Sequence, residues 1–240
     1  MADLTPAVGR ATTVEISYGC SPLATEKGAL NVKIEVYSDT ICPWCFVGLA
    51  RLQEALAARS GLAVELTWLP FELNPDLPPE GEDRKAYMLR RFGDVNRFAA
   101  GQQQLLDIGR PLGIDFQFDR VRRAPNTRRS HVLIGWAGER RDDVQTRVKQ
   151  RVLAAHFSEG RDIADPQVLA ELAVDCGLEH AAALQAIADP RRHAEVAALE
   201  AQAHDWGISG VPTFIFDRAY AFSGAQPLQV FLDAMDRVAA

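Results

Sequence analysis

Cysteine is scarce in this chain. Its 240 residues hold four, Cys20, Cys42, Cys45 and Cys176, too few and too unevenly spaced for the disulfide framework of a small secreted domain. Long apolar runs are missing as well: none approaches the roughly 18–20 residues a bilayer-spanning helix needs, so no membrane partner is expected. Positive charge is not in excess. A net charge of −6 argues against a general nucleic-acid binder, which gathers Lys and Arg on one face. The one basic run, Arg120, Arg122, Arg123, Arg128 and Arg129, reads as a solvated face at a helix entrance. There is no G-x-G-x-x-G and no Walker pattern, hence no nucleotide motif. A zinc site built on Cys42 and Cys45 lacks its other two ligands, because there is no second C-x-x-C and the five histidines are scattered. The start of the chain has no basic stretch followed by an apolar one, and Pro6, Gly9, Gly19, Pro22 and Gly28 interrupt it. Residues 1–30 are therefore predicted to be a disordered extension, with the protein cytoplasmic.

What is present is patterned. Val32, Ile34 and Val36 alternate with Lys33, Glu35 and Tyr37, the period of a half-buried strand. A Ser38-Asp39-Thr40 turn follows, then Cys42-Pro43-Trp44-Cys45, then Leu49, Leu52 and Leu56 at helical spacing up to a stop at Ser60-Gly61. A second strand is predicted over 62–71. Strand, helix, strand at this spacing is a βαβ unit with a parallel pair. Beyond a Pro-rich boundary the pattern turns helical, with helices expected at 84–92, 95–109, 127–138, 142–157, 166–176 and 190–206. Asp165-Pro166 and Asp189-Pro190 each place an N-cap before a first-turn proline. Strands return at 213–216 and 220–222, and an amphipathic helix closes the chain. Strands at both ends and helices between them predict an α/β fold interrupted by an all-helical insertion: 31–82 with 207–240 as one domain, 83–206 as the other.

The C-x-x-C turn carries the chemistry. Cys42 stands where a helix begins, and the unpaired N–H groups and positive dipole end there favour an anion. A thiolate is that anion, so Cys42 is expected to ionise below the free-thiol value and act as nucleophile. Cys45, one turn further on and on the same side, is the resolving thiol that would break a mixed disulfide at Cys42. Trp44 brings no positive charge to the pair, unlike a histidine in its place, and it also covers the helix start. Cys176 reads as a small buried apolar residue, and Cys20 as incidental.

Together with Gly210-Val211-Pro212-Thr213-Phe214, the run Ser38-Asp39-Thr40-Ile41-Cys42-Pro43-Trp44-Cys45-Phe46 resembles the DsbA family of thioredoxin-like proteins, in particular its FrnE-like branch, over about residues 32–239. The resemblance implies a thioredoxin-like fold, a cis proline at Pro212 facing the sulfurs, and Val211 backbone groups open to an extended substrate. It implies a thiol–disulfide oxidoreductase or isomerase acting on protein disulfides or low-molecular-weight thiols, with no cofactor beyond the redox-active pair. Related glutathione-using enzymes, the 2-hydroxychromene-2-carboxylate isomerases and kappa glutathione transferases, make a glutathione-dependent isomerase the alternative, with glutathione as co-substrate. By the same resemblance Asn126, Thr127, Ser223 and Gln226 line a pocket beside the sulfur. The residues alone equally allow helix capping for the first two and a turn for the last two. Monomer and homodimer both remain open.

Overall fold

The computed structural model describes residues 31–240 apart from Asp94 and Arg141. The predicted N-terminal extension and Cys20 lie outside the described residues. The first strand, β1 (Asn31–Ser38), is followed by α1 (Pro43–Ala58) and β2 (Ala63–Pro70). β1 and β2 run parallel in register from Asn31↔Ala63 to Ser38↔Pro70, with α1 as the crossover that a parallel pair requires. α1 ends with Arg59 as its cap, slightly before the Ser60-Gly61 stop read from the sequence.

The chain then leaves the sheet. It forms a two-residue ladder between β3 (Glu82–Asp83) and β4 (Arg123–Ala124) and, among the described residues, seven α-helices: α2 (Arg84–Phe92), α3 (Val95–Gly109), α4 (Arg128–Gly138), α5 (Asp142–Phe157), α6 (Pro166–Asp175), α7 (His180–Ala188) and α8 (Pro190–Asp205). The sequence pattern anticipates six of these helices, but not α7 or the ladder. Asp165 and Asp189 cap α6 and α8 as read, accepting from the N–H of Gln167 at 2.8 Å and of Arg191 at 2.9 Å. After α8 the chain returns to the sheet with β5 (Thr213–Phe216), β6 (Tyr220–Ser223) and α9 (Leu228–Val238). β5 pairs antiparallel with β1, and β6 with β5, so the strand order is β2-β1-β5-β6.

Each face of the sheet is covered by a different part of the chain. Val32, Ile34 and Val36 enter the main core with Leu49 and Leu52 of α1, Phe214, Phe216 and Phe222 of the last two strands, and Phe231 and Met235 of α9. On the other face Tyr37, predicted to alternate outward, is fully buried with Phe71, Ala203 and Ile215. Trp206, just past α8, meets the Tyr37 ring edge-on at 6.4 Å. The outward face is apolar because α8 roofs it, a tertiary fact that strand periodicity does not carry. Helix α4 is buried on almost every side, through Val132, Leu133, Ile134, Trp136 and Ala137. α5 is tied to the edge of β2 by one side-chain amide: Gln145 accepts from the Trp68 N–H at 2.9 Å and donates to the Trp68 carbonyl at 3.1 Å. It thereby stands in for a neighbouring strand at that edge.

Candidate active site

The site begins where β1 runs out. Asp39, Thr40 and Ile41 carry the chain to Cys42, the N-cap of α1, which keeps an extended backbone (φ −91°, ψ 111°) while Pro43 opens the helix. The Cys45 N–H donates to the Cys42 carbonyl at 3.0 Å. This first turn sets Cys45 beside Cys42, and both are free thiols. Cys42 is 5% exposed and Cys45 0%, so an incoming disulfide meets Cys42 first. The Cys42 thiol faces the Val211 carbonyl at 3.7 Å, and the Val211–Pro212 peptide is cis. Trp44 is half-buried and packs against the core. Gly48, one turn beyond Cys45, lets α1 approach this loop: a Cβ there would lie 3.1 Å from Pro212 Cγ and 3.0 Å from Phe214 Cζ.

Near the thiols sits a buried group of charges whose lysine sequence reasoning missed. Lys149 of α5 is 1% exposed; its Nζ lies 3.5 Å from the Ser38 carbonyl and 5.9 Å from the centre of the Trp68 ring. The Gln145 clasp on β2, one turn earlier, brings it there. Asp39 is fully buried, accepts from the Leu73 N–H at 2.7 Å, and lies 3.3 Å from Nε2 of the buried His131. Burial pushes Asp39 toward protonation, but the His131 hydrogen bond and charge, the Leu73 N–H and Lys149 outweigh it and hold its pKa below the ordinary value. Burial, and then the neighbouring Cys42, push the Cys45 pKa well up, while Lys149 pulls it down. Burial likewise lowers the Lys149 pKa against the attraction of Cys45, Asp39 and Cys42. Behind these groups a cavity of about 240 Å³ opens between β2, α4, α5 and α8, lined by His131, Lys149, Trp68 and Trp136, with Glu139 and Arg192 among its walls.

The four pocket residues expected from the resemblance all have internal partners. Asn126 donates to the Leu77 carbonyl at 2.8 Å and accepts from the Arg128 N–H at 3.0 Å, so it caps the start of α4. Thr127 is the buried N-cap of α4, and its carbonyl accepts from Ser130 Oγ at 2.7 Å. Ser130 in turn meets Thr40 Oγ1 at 2.8 Å, which joins the start of α4 to the turn before Cys42. Ser223 Oγ meets Thr213 Oγ1 at 2.7 Å, and Gln226 donates to the Ser223 carbonyl at 2.8 Å. The same turn leans on the cis proline through the Gly224 N–H, 2.7 Å from the Pro212 carbonyl. Both pairs thus brace the segments that flank the sulfurs. The basic run is a solvated face only in part: Arg120 and Arg122 are exposed, whereas the other three are half-buried and engaged. Arg129 donates to the Ala164 carbonyl at 2.8 Å, Arg123 to the Glu80 carbonyl at 2.6 Å, and Arg128 pairs with Glu72 and Glu200.

Among the described residues no group of three His, Cys, Asp or Glu side chains is placed to hold a metal ion, and no helix is long and apolar enough to cross a membrane. Cys176 is buried at the end of α6, where its carbonyl accepts from Arg147 at 3.1 Å.

A thioredoxin-like sheet, an inserted helical bundle and a dithiol at the N-terminus of α1 define a class of thiol–disulfide proteins. The model of the DSBA-like thioredoxin domain matches residues 33–236, and the chain belongs to that family. It is 33% identical to the uncharacterized protein YwbO of Bacillus subtilis (strain 168), over 78% of this chain and 87% of that protein. A probable DsbA oxidoreductase from Streptomyces coelicolor is similar in structure (TM-score 0.77, 32% identity, 86% of this chain and 89% of the other). So is DsbM of Pseudomonas aeruginosa, a cytosolic disulfide reductase solved with GSH (TM-score 0.58, 25% identity, 85% and 99%).

Proposed function

We propose that the chain is a dithiol–disulfide oxidoreductase that reduces or isomerises disulfides of proteins or small thiols in a reducing compartment. The observation that carries this reading is the arrangement of the two thiols: an N-cap Cys42 that keeps a sliver of exposure, and a fully buried Cys45 one turn on, near the charge of Lys149. The Cys42 thiolate attacks one sulfur of a substrate disulfide. A Cys42–substrate bond forms, the substrate S–S bond breaks, and the first substrate thiolate leaves and takes up a proton. Cys45 then loses its proton, its thiolate eased by the charge of Lys149. It attacks Cys42 Sγ, forming the Cys42–Cys45 disulfide and releasing the second thiolate. The protein dithiol has given up two electrons. A thiol such as glutathione restores it by the reverse exchange, and the likeness to DsbM supports glutathione in that role. Val211, with its carbonyl beside Cys42, is positioned to align an extended substrate.

The test is a glutathione redox titration of the Cys42/Cys45 pair, read by mass shift after alkylation, together with Cys45→Ser. A reversible two-electron transition near the cytosolic poise is expected, with Cys45→Ser losing turnover and accumulating mixed disulfides at Cys42. A pair that never closes into a disulfide would overturn the reading. Full turnover of Cys45→Ser on a small aromatic substrate would favour the glutathione-dependent isomerase instead.

A further inference from the structure

A second buried charge cluster lies on the sheet face roofed by α8, outside the thiol chemistry. The Glu72 side chain is 1% exposed and the Glu200 side chain 10%, and both carboxylates accept from the same Arg128 Nη2, Glu200 at 3.0 Å. Arg128 also donates from Nε to Glu72 at 2.8 Å and from Nη1 to the His193 carbonyl at 3.3 Å. Glu200 Oε1 accepts from the Glu72 backbone N–H at 2.8 Å, while the next N–H, of Leu73, goes to Asp39. Two carboxylates against one guanidinium leave one buried negative charge uncompensated. Glu72 Oε1 is buried and has no hydrogen-bond partner among the described residues, so a hydrogen-bond donor is needed there. A proton on Glu200 removes the excess charge and turns an acceptor of the cluster into a donor.

We propose that Glu200 carries a proton in the folded chain, and that the Glu72–Arg128–Glu200 knot is a pH-responsive tie. It fastens α8, and the Val211–Pro212 loop that α8 leads into, against the end of β2 and the start of α4. The chain from Glu200 reaches Val211 by way of Ala203 and Trp206, which pack in the small core with Tyr37 and Val211 itself. Burial, and then the charge of Glu72, raise the Glu200 pKa to about 7, against the pull of Arg128. The charged or titratable groups facing the knot are Arg128 from α4, Glu72 from the end of β2, Asp39 from the turn before α1, and on α8 itself His193 and His204. The His204 ring meets Phe71 at a tilt of 52°, with centroids 5.3 Å apart.

The sign follows from linkage. Glu200 ionises near its ordinary value in the unfolded chain and near 7 when folded, so its contribution is complete below pH 4.5 and is lost as pH rises through 7. The tie is tight when protonated and slackens above neutrality. The test uses the full chain. Wild type, Glu200→Gln and Glu72→Gln are melted between pH 5.5 and 8.5, with hydrogen exchange followed over residues 200–213. Wild type should lose roughly 2–4 °C more than either variant over this range, and its 200–213 amides should exchange several-fold faster at high pH after correction for intrinsic rates. Both variants should flatten that difference, since His193, His204 and Asp39 remain in them. Equal pH slopes in all three proteins would overturn the proposal. Should neither variant fold, carbon-13 NMR of glutamate-labelled wild type decides. A buried carboxyl titrating near 7 supports the proton on Glu200, and none titrating above 5.5 refutes it. None of these readouts depends on the cysteines reacting, so failure here leaves the oxidoreductase reading standing.

Discussion

Lys149 is the side chain on which the reactivity of the buried thiol turns. A fully buried thiol resists ionisation, and the nearby ammonium is the main charge that offsets this. Lys149→Met keeps much of the length and removes the charge. Release of a preformed Cys42 mixed disulfide should slow by about tenfold or more at pH 7, and its pH–rate profile should move to higher pH, while initial attack by Cys42 changes less. Stopped-flow release of a chromophoric thiol separates the two steps; an unmoved profile would reduce Lys149 to packing. The thiols themselves were legible in the sequence, because C-x-x-C at a strand-to-helix junction is a local pattern. Asp39 was legible only as a turn residue, and Lys149 only as one helical position among many. Their meeting depends on α5 being clasped to β2 through Gln145, a contact 77 residues apart in sequence. No spacing rule reports such a contact.

The helices whose starts were most sharply legible are those with punctuation. Asp-Pro starts mark α6 and α8, and replacing either cap, Asp165→Ala or Asp189→Ala, should cost about 1 kcal/mol in denaturant melts. α7 was not legible. Its sequence, His-Ala-Ala-Ala-Leu-Gln-Ala-Ile-Ala, has little polar–apolar period, and it buries small residues, Ala183 and Ala186, with Ile187. The β3–β4 ladder is too short for any alternation to show. α1 offers a sharper test of how elements meet. Gly48→Ala would gain up to about 1 kcal/mol of helix propensity on an exposed helix. Here the new methyl presses on Pro212 and on the fully buried Phe214 ring, which is wedged against Phe231 at 4.8 Å and Phe222 at 5.2 Å. Net destabilisation of about 1–3 kcal/mol is expected, with a drop in turnover because the displaced loop borders Cys42. Thermal melts paired with an insulin-reduction assay check both.

At the scale of the whole molecule, acid stability has its own determinant. His156 of α5 is 3% exposed, its Nδ1 has no partner among the described residues, and burial, with the nearby charge of Arg84, lowers its pKa to about 3. The unfolded chain takes up a proton near pH 6.5 that the folded chain refuses until about 3. The stabilisation is therefore whole above 6.5 and drains away as pH falls toward 3. His156→Phe should show a visibly shallower fall in Tm from pH 6.5 to 4 than wild type. The fold class was legible because apolar alternation sits at the two ends of the chain with helices between, a split that a single sheet resolves only if the chain comes back. That return has a consequence for biosynthesis. Ile34 pairs with Phe216, about 180 residues later, so β1 keeps one bare edge for most of translation. A nascent chain stalled before Phe216 has its cysteines but lacks the strand that seats Pro212 and Val211 against them. The completed thiol pocket is thus among the last parts of the molecule that the ribosome delivers, and half-made chains are without it.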